Sequence, residues 1–522
     1  MVEMPSHSSR LGAALAVAAA LLITACTSGS SSASRPAPTA SPPATTPAAA
    51  PSALTAPPTT LAEYYAQRLD WQPCDQGFQC ARLLVPFDYA HPDGARFSLP
   101  VIKLPAAKSA ERAGALVINP GGPGGSGVEY ALGAKSGEFT QTVLDRFDIV
   151  GFDPRGIGGS LPAVRCMTGS QLDAYFATND VPENSAQLAT IVSESKLYAE
   201  ECARNAATLL PYLNTADAAK DMDVLRAALG EPALTYLGKS YGTYLGASYA
   251  QQFPSRVRAL VLDGAVDPAA SGLQLDVTQA TGFESAFGQF AAWCATQTGC
   301  PLGAPSGAAG KVEALLSAAN AHPLSNVLDS QPANGAMLDT GIAAALYQRA
   351  AWPDLELALG SAMDGDGTVL VEMADSLLER TATGSYSNLS DAELSFDCTD
   401  RPWPRTLGPY AAAAATAQKA APLFGAAIVW GSLPCAYWPA PPVTSAIRAT
   451  GAKPILVVGD LHDPATPYQW AVDLSRDLAS GVLLGWNGEG HTSYMQGSSC
   501  IDDIVDSYLI SQTVPRSGTV CP

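Results

Sequence analysis

The chain has 522 residues, 47% hydrophobic and 15% charged, with a formal net charge of −19. That hydrophobic share is ample for a globular core, and the acidic balance excludes nucleic acid and anionic surfaces as electrostatic partners. Eleven cysteines occur without any C-x-x-C or Cys/His ligand spacing, so the pattern offers no zinc site and, with no phosphate-binding fingerprint either, no cofactor is expected.

Residues 1–25 carry one basic residue, Arg10, then the apolar segment Leu11 to Ile23 and Thr24-Ala25-Cys26. This is the pattern of a secretory signal, too short for a spanning helix. The Ile23-Thr24-Ala25-Cys26 ending resembles a bacterial lipobox, which implies cleavage before Cys26 and lipid on its sulfur; an ordinary signal cleaved nearby would leave Cys26 incidental. The expected location is the extracytoplasmic face of the cell membrane, held by that anchor, with a secreted form as the alternative. Residues 26–60 consist almost wholly of Ser, Ala, Pro and Thr, which cannot bury a core and read as a tether. Removing Cys26 leaves ten cysteines, an even number suited to an oxidising compartment. Short spacings suggest Cys74 with Cys80, Cys294 with Cys300 and Cys500 with Cys521; Cys166 with Cys202 and Cys398 with Cys435 would complete the set.

The first part of the core spans 61–266. Phe78 to Tyr89 and Arg96 to Leu104, separated by His91-Pro92-Asp93-Gly94, read as a hairpin. Ala115 to Ile118 is a short strand running into Asn119-Pro120-Gly121-Gly122-Pro123-Gly124-Gly125-Ser126-Gly127. The loop lacks the endings of a phosphate cradle, and its glycines instead suit backbone N–H groups brought close to a reacting carbonyl oxygen. Phe147 to Phe152 is a further strand ending in Asp153-Pro154-Arg155-Gly156, and Asn214 to Gly230 reads as a helix. Leu234 to Leu237 then leads into Gly238-Lys239-Ser240-Tyr241-Gly242 and an amphipathic helix. This is the context of a nucleophile elbow, in which Ser240 sits on a strained strand-to-helix turn and the N–H of Tyr241 faces the oxyanion.

From 267 to 444 the strand-helix alternation lapses into Ala-rich helical segments at Gly282 to Cys294, Lys311 to Ala321, Ile342 to Leu359, Leu370 to Thr381 and Tyr410 to Leu423, an insertion placed to cap the elbow. The core resumes over 445–522. Pro454 to Gly459 is a buried-type strand followed by Asp460-Leu461-His462-Asp463-Pro464, with Thr466 as a helix N-cap and Pro467 at the first helical position. Gly481 to Trp486 leads to His491. Elbow serines are followed in the chain by an acid and then a histidine. Of the five histidines, His7 and His91 precede Ser240, His322 sits in Ala-Asn-Ala-His-Pro at a loop or helix end with few strand-end acids between it and Ser240, and only His491 follows Asp463. The expected triad is Ser240, Asp463 and His491, with Asp460 a weaker claimant for the acid and His462 a structural or rim residue.

The N-P-G-G-P-G-G-S-G loop, the G-F-D-P-R-G-I-G-G-S strand end, the G-K-S-Y-G-T elbow, L-D-G-A-V-D-P, D-P-A-T-P and G-H-T-S-Y together resemble the tripeptidyl-aminopeptidase branch of the α/β-hydrolases, over roughly Leu61 to Cys521. The resemblance implies an α/β-hydrolase fold with a mostly parallel sheet and an inserted helical cap. It further implies a second oxyanion donor at Gly122, and cap acids for the substrate's free amine, with Glu284, Asp397 and Asp400 as candidates. Asn119 stands where prolyl aminopeptidases carry His, which points away from prolyl specificity. The expected activity is release of short peptides from N-termini. The alternatives are a carboxylesterase using an apolar acyl channel among the cap's Ala and Leu residues, and a lipid-anchored binding protein that keeps the fold without catalysis.

Overall fold

A computed structural model describes residues 57–522; the expected signal segment, Cys26 and the expected tether up to residue 56 lie outside the described residues. The short apolar runs form one sheet of ten strands: β1 (Gln72–Pro73), β2 (Gln79–Pro86), β3 (Arg96–Leu104), β4 (Gly114–Asn119), β5 (Phe147–Phe152), β6 (Leu234–Lys239), β7 (Val257–Asp263), β8 (Ile455–Asp460), β9 (Gly481–Trp486) and β10 (Thr519–Cys521). Every residue of β4, β6 and β8 is buried, because helices cover both faces of a parallel sheet and leave no solvated side to encode as alternation. The strand order is β1-β2-β3-β5-β4-β6-β7-β8-β9-β10, antiparallel as far as the β3–β5 pair and parallel from β5 to β10.

This order fixes where the chemistry can sit. From β4 the chain moves outward to β5, and from β6 it moves outward on the other side, so β4 and β6 flank a topological switch point, where open α/β sheets bind ligands at the carboxyl ends of their strands. The register pairs Asn119 with Gly238, which sets the glycine loop after β4 directly beside the turn after β6. Asp153 ties this end together. Its carboxylate accepts from Ser126 Oγ (2.6 Å) and the N–H groups of Val128 and Gly159. Next to it, buried Arg155 donates side-on to Asp221, Nε to Oδ2 at 2.7 Å and Nη2 to Oδ1 at 2.6 Å, locking the loop after β5 onto the helix Thr215–Ala228.

Between β7 and β8 the chain is helical, with an aromatic and aliphatic core of its own that includes Phe283, Phe287, Phe290, Met337 and Ile342. Two expectations change here. Ile342 to Leu359 is not one helix but parts of two, Gly335–Leu346 and Trp352–Met363. Pro353 in the first turn suits a fresh helix start, and Gln348 between them is extended and bridges to Gly490. The helix Leu389–Asp400 was not expected, because its four acids, Asp391, Glu393, Asp397 and Asp400, mask the apolar period. A helix at Ser185–Asn205, between β5 and β6, packs against Leu433–Tyr437. The disulfides join Cys74 to Cys80, Cys166 to Cys202, Cys294 to Cys300, Cys398 to Cys435 and Cys500 to Cys521. Among the described residues no helix is long and apolar enough to cross a membrane, and no cluster of metal-ligating side chains occurs.

Candidate active site

Ser240 stands between β6 and the helix Tyr241–Gln252 with φ 56° and ψ −126°, a left-handed conformation that a non-glycine residue adopts only when its surroundings impose it. The surroundings do so here. Its N–H donates to the carbonyl of Asp263 at 2.8 Å. A Cβ on Gly238 would lie 2.4 Å from the Gly242 carbonyl oxygen, and one on Gly242 would lie 2.8 Å from Asn119 Oδ1, so both glycines of the pentapeptide are required by close approach.

The glycine loop is equally constrained. Gly121 has φ 107°, and a Cβ there would meet Ser240 Cβ at 2.7 Å and the Lys239 carbonyl at 2.8 Å. Its N–H is held by Asn119 Oδ1 at 3.1 Å. Gly122 (φ 103°) and Tyr241 both line the cavity at Ser240, and Tyr241 opens its helix, where first-turn N–H groups have no intrahelical partner. This is the arrangement an oxyanion hole needs.

Asp463 is buried just past β8. Oδ1 accepts from the N–H groups of Ala465 (2.9 Å) and Thr466 (2.8 Å), and Oδ2 from Thr466 Oγ1 (2.9 Å) and the Thr492 N–H (3.1 Å). Its two oxygens lie 2.9 and 3.0 Å from His491 Nδ1. Every hydrogen bond of the imidazole is made by Nδ1, so Nε2 has no hydrogen-bond partner among the described residues. Thr466 is not an N-cap: Pro467 holds that position before the helix Tyr468–Asp477, and the Thr466 hydroxyl is engaged by Asp463 and lies 3.4 Å from His491 Nδ1. Asp263, at the end of β7, receives the N–H groups of Ser493 and Tyr494 and so anchors the segment after His491. The backbone carbonyl of Tyr347, in the helical segment between β7 and β8, accepts from the His491 backbone N–H at 2.7 Å, and the Tyr347 ring lies edge-on to the imidazole, centroids 5.3 Å apart.

Asp460 faces elsewhere. Oδ1 accepts from the N–H groups of His462 and Gly488, Oδ2 is buried without a partner, and burial pushes the carboxyl up to about 8. His462 lines a separate hollow with Arg349 and Glu489.

The cavity over Ser240 holds about 140 Å³, and five of its residues, Asp276, Gln279, Glu393, Asp397 and Ser432, also line a chamber of about 340 Å³ beyond it. The family model described as TAP-like protein matches residues 421–521, which include Asp463 and His491. Serine protease Hip1 of Mycobacterium tuberculosis is 39% identical over 477 residues, covering 87% of this chain and 91% of that protein. The chain belongs to the tripeptidyl-aminopeptidase-like branch of the α/β-hydrolases. Carboxylesterase B of Mycobacterium tuberculosis is 36% identical over 451 residues (85% of this chain, 86% of that one). A tripeptidyl aminopeptidase of Streptomyces lividans is 32% identical over 472 residues (87% of each). These relatives agree on a serine hydrolase, which this chain is, and differ in the bond their names specify.

In this tripeptidyl-aminopeptidase-like hydrolase the three candidate cap acids have different surroundings. Asp397 lines both the cavity and the chamber, and burial raises it to about 6. Glu284 is turned to the Leu423 N–H (2.9 Å) and does not line either space. Asp400 receives the N–H and hydroxyl of Thr215 at 2.8 and 2.6 Å, while that hydroxyl lies 2.5 Å from Tyr241 Oη; it braces the elbow from below rather than facing the cavity. Sequence reasoning missed Asp276 and Glu393. Burial, then the nearby Asp397, raises Glu393 to about 8, and burial lifts Asp276 well above the ordinary carboxylate range. Glu393 lies one helical turn before Asp397, a spacing that the sequence does display.

Proposed function

We propose that the protein is an exported serine peptidase that releases short peptides from N-termini through an acyl-enzyme on Ser240. Ser240 Oγ attacks the scissile carbonyl carbon while His491 Nε2 takes its proton and then gives it to the leaving amine, and the C–N bond breaks. Asp463 keeps the Nδ1 proton in place and stabilises the imidazolium. The N–H groups of Gly122 and Tyr241 hold the oxyanion, each donor contributing about 3–4 kcal/mol to the transition state. Water, activated by the same histidine, then releases the peptide.

The observation that carries the peptidase reading is the set of Asp276, Glu393 and Asp397 on the cavity at Ser240. Carboxylates this buried are costly unless a cation completes them, and an α-ammonium group a short distance along the acyl chain would do so. A tripeptidyl amide with a free amine should therefore be cleaved faster than its N-acetylated counterpart; equal rates would remove the amine from recognition. The apolar residues of the chamber, Phe176, Leu378, Leu394 and Ile428, favour a second reading as a carboxylesterase. Hydrolysis of short p-nitrophenyl esters with no peptide cleavage would select it.

We also propose anchoring through lipid on Cys26, a residue outside the described structure. Cys26→Ala should release the protein from the detergent phase or block its processing. Wild-type protein wholly in the medium with another N-terminus would refute the anchor and leave the enzyme standing.

A further inference from the structure

Arg401 follows the helix Leu389–Asp400 and lines the cavity that opens on Ser240. Only 8% of it is exposed, yet its Nε and Nη2 are buried without a hydrogen-bond partner. Its guanidinium packs over the Tyr244 ring, 4.9 Å from the centroid, which fixes the plane of the group without using either donor. No carboxylate among the described residues forms an ion pair with it, although Asp276, Asp397 and Asp400 are near enough to feel its charge. Arg155 shows what this chain does with a buried guanidinium whose role is structural: the same Nε and Nη2 edge is filled by Asp221, and Nη1 donates to two carbonyls.

An unfilled donor edge in the interior is costly, so it is retained where something else fills it. Nε–H and Nη2–H point the same way from a planar group and together donate to an sp² oxygen. Asp397 lies one turn before Arg401 and lines the same cavity, so opposite charges stand side by side there. A peptide N-terminus has the matching pattern, an ammonium followed by a carbonyl oxygen. We propose that Arg401 is a substrate-binding residue whose Nε and Nη2 edge receives a backbone carbonyl oxygen of the acyl-side peptide, next to the acids that take the amine. This rests on the peptidyl reading of the acyl group, and it gives the cavity a means of reading a peptide backbone rather than an amine alone.

The test uses tripeptidyl p-nitrophenyl esters, which an esterase and a peptidase both turn over, so Arg401 is read out whether or not amides are cleaved. Arg401→Met and Arg401→Lys are compared with wild type on the peptidyl ester, on analogues with a thioamide at each acyl-side carbonyl in turn, and on p-nitrophenyl acetate, whose acyl group carries no peptide carbonyl for Arg401 to bind. For Arg401→Met, kcat/KM on the peptidyl ester should fall roughly 10- to 100-fold, the range of a hydrogen bond to a charged group. Lysine, a point charge without the fork, should restore only part of it. Acetate turnover should stay within about 2-fold, as expected for a change that leaves the oxyanion hole intact. One thioamide should slow wild type and leave Arg401→Met unchanged. Equal losses on the peptidyl ester and the acetate would make Arg401 structural and overturn the proposal. Losses confined to substrates bearing Glu, absent with Gln, would assign a side-chain carboxylate instead. Failure of wild type to cleave the tripeptidyl amide, with the ester results as stated, would refute the peptidase reading alone.

Discussion

Protonation of Asp397 and Glu393 should control how strongly the enzyme prefers a free N-terminus. Burial raises both, Asp397 to about 6 and Glu393 to about 8, so each is neutral at low pH and gains its charge as pH rises through that value. At pH 5 Asp397 is about one-tenth ionised and at pH 7 about nine-tenths, while an α-ammonium keeps its proton until about pH 8. The ratio of kcat/KM for a free-amine tripeptidyl amide to that for its N-acetyl form should climb between pH 5 and 7. It should pass through a maximum near pH 8 and fall as the amine deprotonates. A charge-assisted hydrogen bond of about 1.5–3 kcal/mol sets the height of the climb at roughly 10- to 150-fold. Taking the ratio cancels any pH dependence of the chemical step that both substrates share. Asp397→Asn should remove the rise near pH 6; it should also move the remaining rise to lower pH, since Asp397 is one cause of the elevation at Glu393. A ratio flat from pH 5 to 9, or an Asp397→Asn profile that overlays wild type, would refute this reasoning.

Gly121→Ala should be nearly inactive while still folding, because the new methyl would press on Ser240 and the Lys239 carbonyl at a φ that disfavours alanine. The strain is about 1–3 kcal/mol, to be read as a lower melting temperature, and a shift of the loop that displaces the neighbouring Gly122 N–H from the oxyanion would cost roughly 10²–10³ in kcat. Asp460→Asn tests the buried orphan oxygen through stability rather than activity. An acid whose folded pKa of about 8 exceeds its unfolded value binds a proton in the native state that the unfolded chain has lost, so it costs stability progressively as pH rises from about 4 to 8. The melting temperature of Asp460→Asn should gain on wild type across that interval and match it most closely near pH 4; a difference independent of pH would exclude titration of this residue as the source.

The strands around the switch point were legible because buried parallel strands write themselves as continuous apolar runs: β5 and β9 begin and end where the sequence places them. The order serine, acid, histidine was legible because five histidines leave few choices. The helix Leu389–Asp400 was not, since its acids face the cavity, Thr215 and the Cys166 N–H, and burying them inverts the usual polar-outside pattern. Asp263 could be placed at a strand end, but its grip on Ser493 and Tyr494 joins residues about 230 positions apart and depends on the β7–β8–β9 order. Thr466 satisfied the local rule for an N-cap and serves Asp463 instead, because a buried carboxylate outcompetes a helix end for a neighbouring hydroxyl.

The most direct measurement is covalent labelling by a fluorophosphonate, followed by mass mapping of the modified residue. The account predicts one label per chain, on the peptide containing Ser240, and none on a folded Ser240→Ala protein that has also lost turnover. A label retained by that variant, or mapped to another serine, would contradict the assignment of Ser240 as the nucleophile.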